Sequence, residues 1–185
     1  MEDLHDMPQQ LYEGKITKLR EKTQGQLVIK EYPTASAHSG HFKSLMNELA
    51  LKKSFRPDVI FIDYLNICAS SRFKGGNISS YFYVKAIAEE LRGLAVEFNV
   101  PIFSATQTTR TGYVSTDIGL EDTSESFGLP ATADFMFALI SNEELEALGQ
   151  MKVKQLKNRY NDPSINRAFI IGVDRAKMRL YDGLL

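Results

Sequence analysis

One cysteine, three histidines and no tryptophan stand among 185 residues. The lone Cys68 leaves no partner for an intrachain disulfide and no thiolate set for a zinc site, which suits a reducing compartment. No apolar run approaches the roughly 20 residues that span a bilayer, and the opening MEDLHDMPQQ has neither the basic region nor the apolar block of a secretory leader. Together these absences predict a soluble cytoplasmic protein with no membrane partner. Charge of one sign is also lacking: the formal net charge is -1 with 24% charged residues, so any binding of nucleic acid has to be local and not that of a polycation.

What is present is 43% hydrophobic content, enough for one substantial core. We expect a single domain over 1–185, in which 1–24 is a helical lead-in and 25–185 the core. Tyr12, Ile16 and Leu19 at helical spacing among many charges predict a partly exposed helix from about Asp6 to Thr23. QLVIKEY, Gln26 to Tyr32, is rich in β-formers and stops at Pro33, so it reads as a strand. Phe42, Leu45, Met46 and Leu49 then line one helical face, and PDVIFIDYLN follows with consecutive apolar residues, the pattern of a strand covered on both faces of a parallel sheet.

From Ser79 to Phe98 the residues Val84, Ile87, Ala88, Leu91, Leu94, Ala95 and Phe98 form one stripe, with Lys85, Glu89, Glu90, Arg92 and Glu97 outside it. NVPIFSATQ reads as a second buried strand. Thr108 to Glu121 shows no sustained period and is expected to be a functional loop. A short helix around Ser124 to Gly128 and a strand from Phe135 to Ile140 complete the alternating part. MKVKQLKNRY, RAFIIGVD and MRLYD predict further strands, the last two joined by a short turn. The fold class expected is α/β: a mainly parallel sheet flanked by helices, with an antiparallel C-terminal extension.

In such sheets ligands sit beyond the carboxyl ends of the strands, and two neighbouring candidates end in Asp63 and Gln107. A carboxylate there can hold Mg²⁺ through water, and a neutral amide can contact a terminal phosphate without adding repulsion. A plain strand end explains either residue as well. Lys157 and Arg159 lie two apart on a strand end, so both point to one side and could face one anion. On those residues alone an exposed basic strand end is the simpler account. Arg72 and Lys74 before Gly75 and Gly76, and Thr108 and Arg110 in the second loop, suit contacts to phosphates of single-stranded DNA, or else are two surface loops.

Three apparent motifs carry no chemistry. His38 and His41 have no second cluster to complete a metal site. Gly14 and Lys15 in EGKIT lack the preceding glycine and the following Ser or Thr of a phosphate loop, and no Walker A motif occurs anywhere in the sequence. Glu143 and Glu144 read as a solvated helix start.

VIFIDYLNI, AIAEELRGLAVEFNVP, the strand ending ATQ, ESFGLPATADFMFALI and KNRYND, in this order and spacing, resemble the C-terminal ATPase domain of DnaB-type replicative helicases, most of all those of tailed phages. The resemblance runs from about QLVIKEYP to the terminus. It implies a RecA-like P-loop NTPase core, a homo-hexamer, and ATP- and Mg²⁺-dependent translocation on single-stranded DNA with duplex unwinding. Primase and a helicase loader are the implied partners, and the bacterial host cytoplasm the implied location if a phage encodes the chain.

By this resemblance Asp63 matches the Walker B carboxylate, Gln107 the glutamine that couples the γ-phosphate to the DNA loops, and Lys157 and Arg159 the basic pair inserted into the adjacent subunit's ATP site. Arg72, Lys74, Gly75, Gly76, Thr108 and Arg110 would face the central channel. The Walker A strand would lie before Met1, which predicts a truncated core whose isolated form is inactive and prone to rearrange or self-associate. A RecA or RadA-like recombinase is the alternative within this superfamily. A metal-dependent nuclease is disfavoured because the strand beside Asp63 ends in Gln107 and not in an acid. A non-catalytic oligomerisation module is the remaining rival.

Overall fold

The computed structural model describes residues 7–73, 78–108, 119–120, 128–162 and 164–182. The first helix, α1 (Gln9–Lys22), begins after Pro8 and has no buried residue. The predicted strand at Gln26 to Tyr32 does not form: these residues carry no secondary structure, and Leu27 and Ile29 are 84% and 83% exposed. β-forming side chains favour a pleated surface only where a neighbouring strand and a packed face exist; among the described residues no strand pairs with the segment, and only Tyr32 at its end packs, on Phe42.

Helix α2 (Ser39–Lys53) starts where the two histidines are spent on capping. His38 Nδ1 accepts from the Gly40 N–H and His41 Nδ1 accepts from the His38 N–H, which satisfies donors at the helix start. Strand β1 (Ile60–Ile62) follows, then a 3₁₀ turn (Leu65–Ile67), helix α3 (Ser80–Phe98) and strand β2 (Ile102–Ser104). Asn99 ends α3 in the left-handed conformation at φ 51°, its N–H and that of Val100 returning to the last carbonyls, and Pro101 then starts the next strand.

β1 and β2 pair in parallel, Ile60 with Ile102 and Ile62 with Ser104, a connection that requires a crossover such as α3. The main core lies beneath this unit: Ile87 (1% exposed), Val84, Ala88 and Leu91 of α3 meet Leu65, Cys68 and Leu129, with Phe42, Ile62 and Tyr83 packed against them. Each such aliphatic side chain contributes about 1.5–3 kcal/mol by leaving water. Helix α4 (Gly128–Thr132) seats on α3 so closely that a Cβ on Gly128 would lie 3.0 Å from Lys85 Cβ.

The second sheet is antiparallel, in the order β3 (Phe135–Ile140), β4 (Gln150–Asn158), β5 (Ala168–Asp174), β6 (Arg179–Asp182). A five-residue helix, α5 (Glu143–Ala147), capped by Asn142, turns the chain between β3 and β4.

Two sheet expectations are corrected. The described sheets are not mainly parallel, since parallel pairing is confined to β1 and β2, and β3 belongs to the antiparallel sheet. The short link through α5 cannot make the long crossover that parallel neighbours need. Nor are β1 and β2 covered on both faces: Phe61 and Phe103 stack at 5.3 Å and are 74% and 48% exposed. The expected helix near Ser124 lies largely outside the described residues; α4 begins at Gly128, its last position. Among the described residues no helix is long and apolar enough to cross a membrane.

Candidate functional site

The carboxyl ends of β1 and β2 emerge on one rim because the strands are parallel and in register. Asp63 follows Ile62 directly, through a cis peptide to Tyr64. Past the ladder the two chains stay tied: the Leu65 N–H donates to the Ala105 carbonyl at 3.2 Å, and Thr106 Oγ1 donates to Asn66 Oδ1 at 2.9 Å. Gln107 Nε2 donates to the Tyr64 hydroxyl at 3.2 Å. Asp63 and Gln107 therefore follow strand ends on the same rim, Gln107 bonding the residue next to Asp63 in the chain, and both are exposed. Ser104 Oγ donates back to the Ile62 carbonyl at 2.9 Å, which fixes the strand end just ahead of Asp63.

This donor set fits a hydrated Mg²⁺: one exposed carboxylate and a neutral amide suit an ion that keeps most of its waters and takes phosphate oxygens as further ligands. It does not fit a cage made of protein alone. Among the described residues no group of three or more His, Cys, Asp or Glu could hold a metal ion.

Lys157 and Arg159, at the end of β4, do project to one side, and what they meet there is the C-terminal end of α4. Lys157 Nζ donates to the Pro130 carbonyl, Arg159 Nη2 to Ala131 at 3.2 Å, and Arg92 Nη1, reaching across from α3, to Thr132 at 2.8 Å. Three successive carbonyls at a helix end, which have no intrahelical partners, are thus each met by a cation. Asp134 joins the group: its Oδ1 lies 2.6 Å from Arg92 Nη1 and 2.9 Å from Arg159 Nη1. Burial lowers the Lys157 ammonium from its usual value, and the Arg159 charge lowers it further while Asp134 opposes.

The loop after the 3₁₀ turn is held by Glu90. Its carboxylate accepts from Ser70 Oγ (2.6 Å), Ser71 Oγ (2.7 Å), the Ser71 N–H (2.9 Å) and Ser39 Oγ (2.8 Å). Desolvation pushes this carboxyl up, but the donors outweigh it and hold it at about 2. Arg72 leaves this anchor to pair with Glu89 of α3. Thr108 is exposed, whereas Lys74, Gly75, Gly76 and Arg110 lie outside the described residues. A cleft of about 340 Å³ between α2 and α3, lined by Ser39, Lys43, Glu90 and Glu97 among others, includes no residue of the strand rim.

The sequence matches no family model. It is 48% identical over 169 residues to a DnaB-like replicative helicase of Enterobacteria phage T4, a match that takes in 91% of this chain and 36% of that protein. The chain is thus a relative of the DnaB-like replicative helicases. It spans little more than a third of the length of that relative.

Solved structures agree on the fold. The ATPase domain of G40P superimposes with a TM-score of 0.69 at 17% identity, covering 92% of this chain and 65% of that one. A DnaB-like replicative helicase, solved in a study of its interactions with primase, gives 0.74 at 16% identity over 97% of this chain and 42% of that one. The α/β fold is that of helicase ATPase domains. Relationship to the DnaB-like helicases favours a helicase part over a recombinase or a nuclease.

Sequence reasoning missed Asp134, Arg92, Tyr64 and Glu90 as members of these clusters. Arg92 and Glu90 sit outside the apolar stripe, as expected, yet both are half-buried and engaged across the fold. The available signal was ionic: both flank the stripe of a helix whose apolar face is largely buried, where a charge is retained only if it is partnered.

Proposed function

We propose that this chain forms part of the ATPase domain of a replicative DNA helicase that couples ATP hydrolysis to translocation on single-stranded DNA and duplex unwinding. The observation that carries the reading is the 48% identity to the phage T4 helicase along 91% of the chain. Residues 1–185 act as one partial RecA-like domain with α1 as its lead-in. Asp63 holds Mg²⁺ through water, and Gln107 senses the terminal phosphate and passes its state along the second loop. The Gln107 to Tyr64 hydrogen bond and the shared rim support a common task for the two residues. Bound Mg²⁺ and ATP would supply the transferred phosphoryl group and its charge neutralisation.

Lys157 and Arg159 serve the nucleotide of a neighbouring subunit in a hexameric ring, a role that places cations near the charge developing on the phosphate. Arg72, Lys74, Gly75, Gly76, Thr108 and Arg110 contact single-stranded DNA. Primase and a loader are the proposed partners, and the cytoplasm, that of a bacterial host if the source is a phage, the proposed location. Without a Walker A loop the 185 residues alone do not retain nucleotide.

Replacing the matched segment of the phage T4 relative with this chain tests the reading. The hybrid should form rings and hydrolyse ATP in a DNA-stimulated manner, and Arg159→Ala in it should slow turnover by roughly a thousandfold or more. A well-folded ring without turnover, or an Arg159→Ala ring with full turnover, would refute it. Micromolar binding of Mg²⁺-ATP by the isolated chain in titration calorimetry would refute the predicted inactivity.

A further inference from the structure

Asp134 stands at the junction of α4 and β3, where two guanidinium groups converge on a single oxygen, Oδ1. The two are not held alike. Arg92 rises from the middle of α3 and its Nη1 bridges Asp134 Oδ1 at 2.6 Å and the Thr132 carbonyl at 2.8 Å, so it is fixed between two acceptors of one turn. Arg159 lies one residue past the end of β4 and its contacts to the same cluster are longer at 2.9 and 3.2 Å, although the two side chains are about equally exposed, 43% against 39% for Arg92. Its backbone is secured separately, by its N–H on the Asp134 carbonyl at 2.9 Å. Swinging the Arg159 side chain outward would therefore leave the strand end in place.

A carboxylate left alone in a half-buried position carries a desolvation penalty. Here it would not be left alone, because Arg92 stays. Lys157 on the Pro130 carbonyl adds a third cation, so three positive groups surround one negative one and the cluster has an excess of positive charge before any ligand arrives. That is a suitable condition for receiving a polyphosphate, provided one cation can leave its present partner.

We propose that Asp134 is a positioning residue for Arg159: it holds the guanidinium in a waiting position on the cluster and releases it to a phosphate, with Arg92 as the fixed counter-ion that keeps Asp134 paired after release. The inference rests on the reading of Arg159 as a phosphate ligand and extends it by naming the groups that hold this residue before the phosphate comes. Release gives up two contacts of the guanidinium, the ion pair with Asp134 Oδ1 and the hydrogen bond to the Ala131 carbonyl, in exchange for charge-assisted hydrogen bonds to the phosphate, and leaves Asp134 paired with Arg92.

The test uses the 185-residue chain with inorganic tripolyphosphate as probe, followed by the arginine Nε–H resonances, assigned from the Arg159→Gln and Arg92→Gln spectra. In the wild-type chain the Arg159 resonance should move on titration while that of Arg92 stays. Asp134→Asn should bind the probe about two- to fivefold more tightly, the factor an ion pair of this exposure is worth, and the double variant Asp134→Asn, Arg159→Gln should lose that gain. A gain that survives in the double variant, or an Arg92 resonance that moves with Arg159, would overturn the holding role while leaving Arg159 a phosphate ligand. An affinity unchanged by Arg159→Gln alone would instead remove Arg159 as a ligand, and this proposal with it. If Asp134→Asn does not fold, the wild-type resonances decide.

Discussion

Glu90 shows how one side chain can define a site without touching a ligand. Four donors from two separate segments, the Ser70–Ser71 loop and the start of α2, close on its carboxylate, and together they hold it at about 2 against an ordinary 4.5. Because the folded value is depressed, the stabilisation it gives is present above about pH 4.5 and is lost as pH falls through about 2. Denaturant midpoints should accordingly fall between pH 5 and pH 2 more steeply for the wild-type chain than for Glu90→Gln. Equal slopes would mean that the carboxylate is not held this way. The consequence reaches Arg72, since the segment Ser70 to Arg72 owes its path to this anchor.

Among elements, the contact of α3 with α4 decides most. The five described residues of α4 cannot form a stable helix by themselves. It persists because Leu129 enters the core, because Gly128 lets the two backbones approach, and because Lys157, Arg159 and Arg92 satisfy its final carbonyls. A methyl group at position 128 would meet Lys85 at 3.0 Å, on a Cβ that cannot rotate away. Gly128→Ala should therefore cost about 1–3 kcal/mol of unfolding free energy, the usual range for overpacking, measured by urea denaturation. It should also disturb the arginine resonances of the cluster. A substitution without effect on either would show that α4 is not packed as described.

For the whole molecule, the conspicuous property is apolar surface on the unit that carries the candidate site. Phe61 and Phe103 stack on the open face of the parallel pair, and the two strands have no other strand beside them among the described residues. Exposed aromatic faces and open strand edges promote association. The isolated chain should show concentration-dependent association in light scattering, and Phe61→Ser should reduce it with little change in unfolding midpoint, because this side chain is already 74% exposed. A monodisperse monomer at all concentrations would rule out that expectation.

Much of this was legible without coordinates. The stripe in α3 was readable because a period of 3.6 in apolar residues directly encodes which face leaves water, and its observed bounds, Ser80–Phe98, differ by one residue from the reading. The common side for Lys157 and Arg159 followed from the two-residue repeat of a strand. The end of β1 just ahead of Asp63 was marked by an abrupt change from apolar to polar residues, whereas β2 stops at Ser104, three residues short of the predicted end at Gln107. These are properties of local spacing, and local spacing is written in the chain.

What only the tertiary structure decided depends on residues far apart in sequence. QLVIKEY has the composition of a strand, but no strand among the described residues meets it, so it forms no secondary structure and is exposed up to Tyr32. The direction of β3 was set by the short link through α5, not by its own side chains. The convergence of Arg92 and Arg159 on Asp134 and of three serines on Glu90 required α3, α4 and β4 to be assembled first, since a hydrogen bond specifies only its two partners and not the fold that brings them within 3 Å.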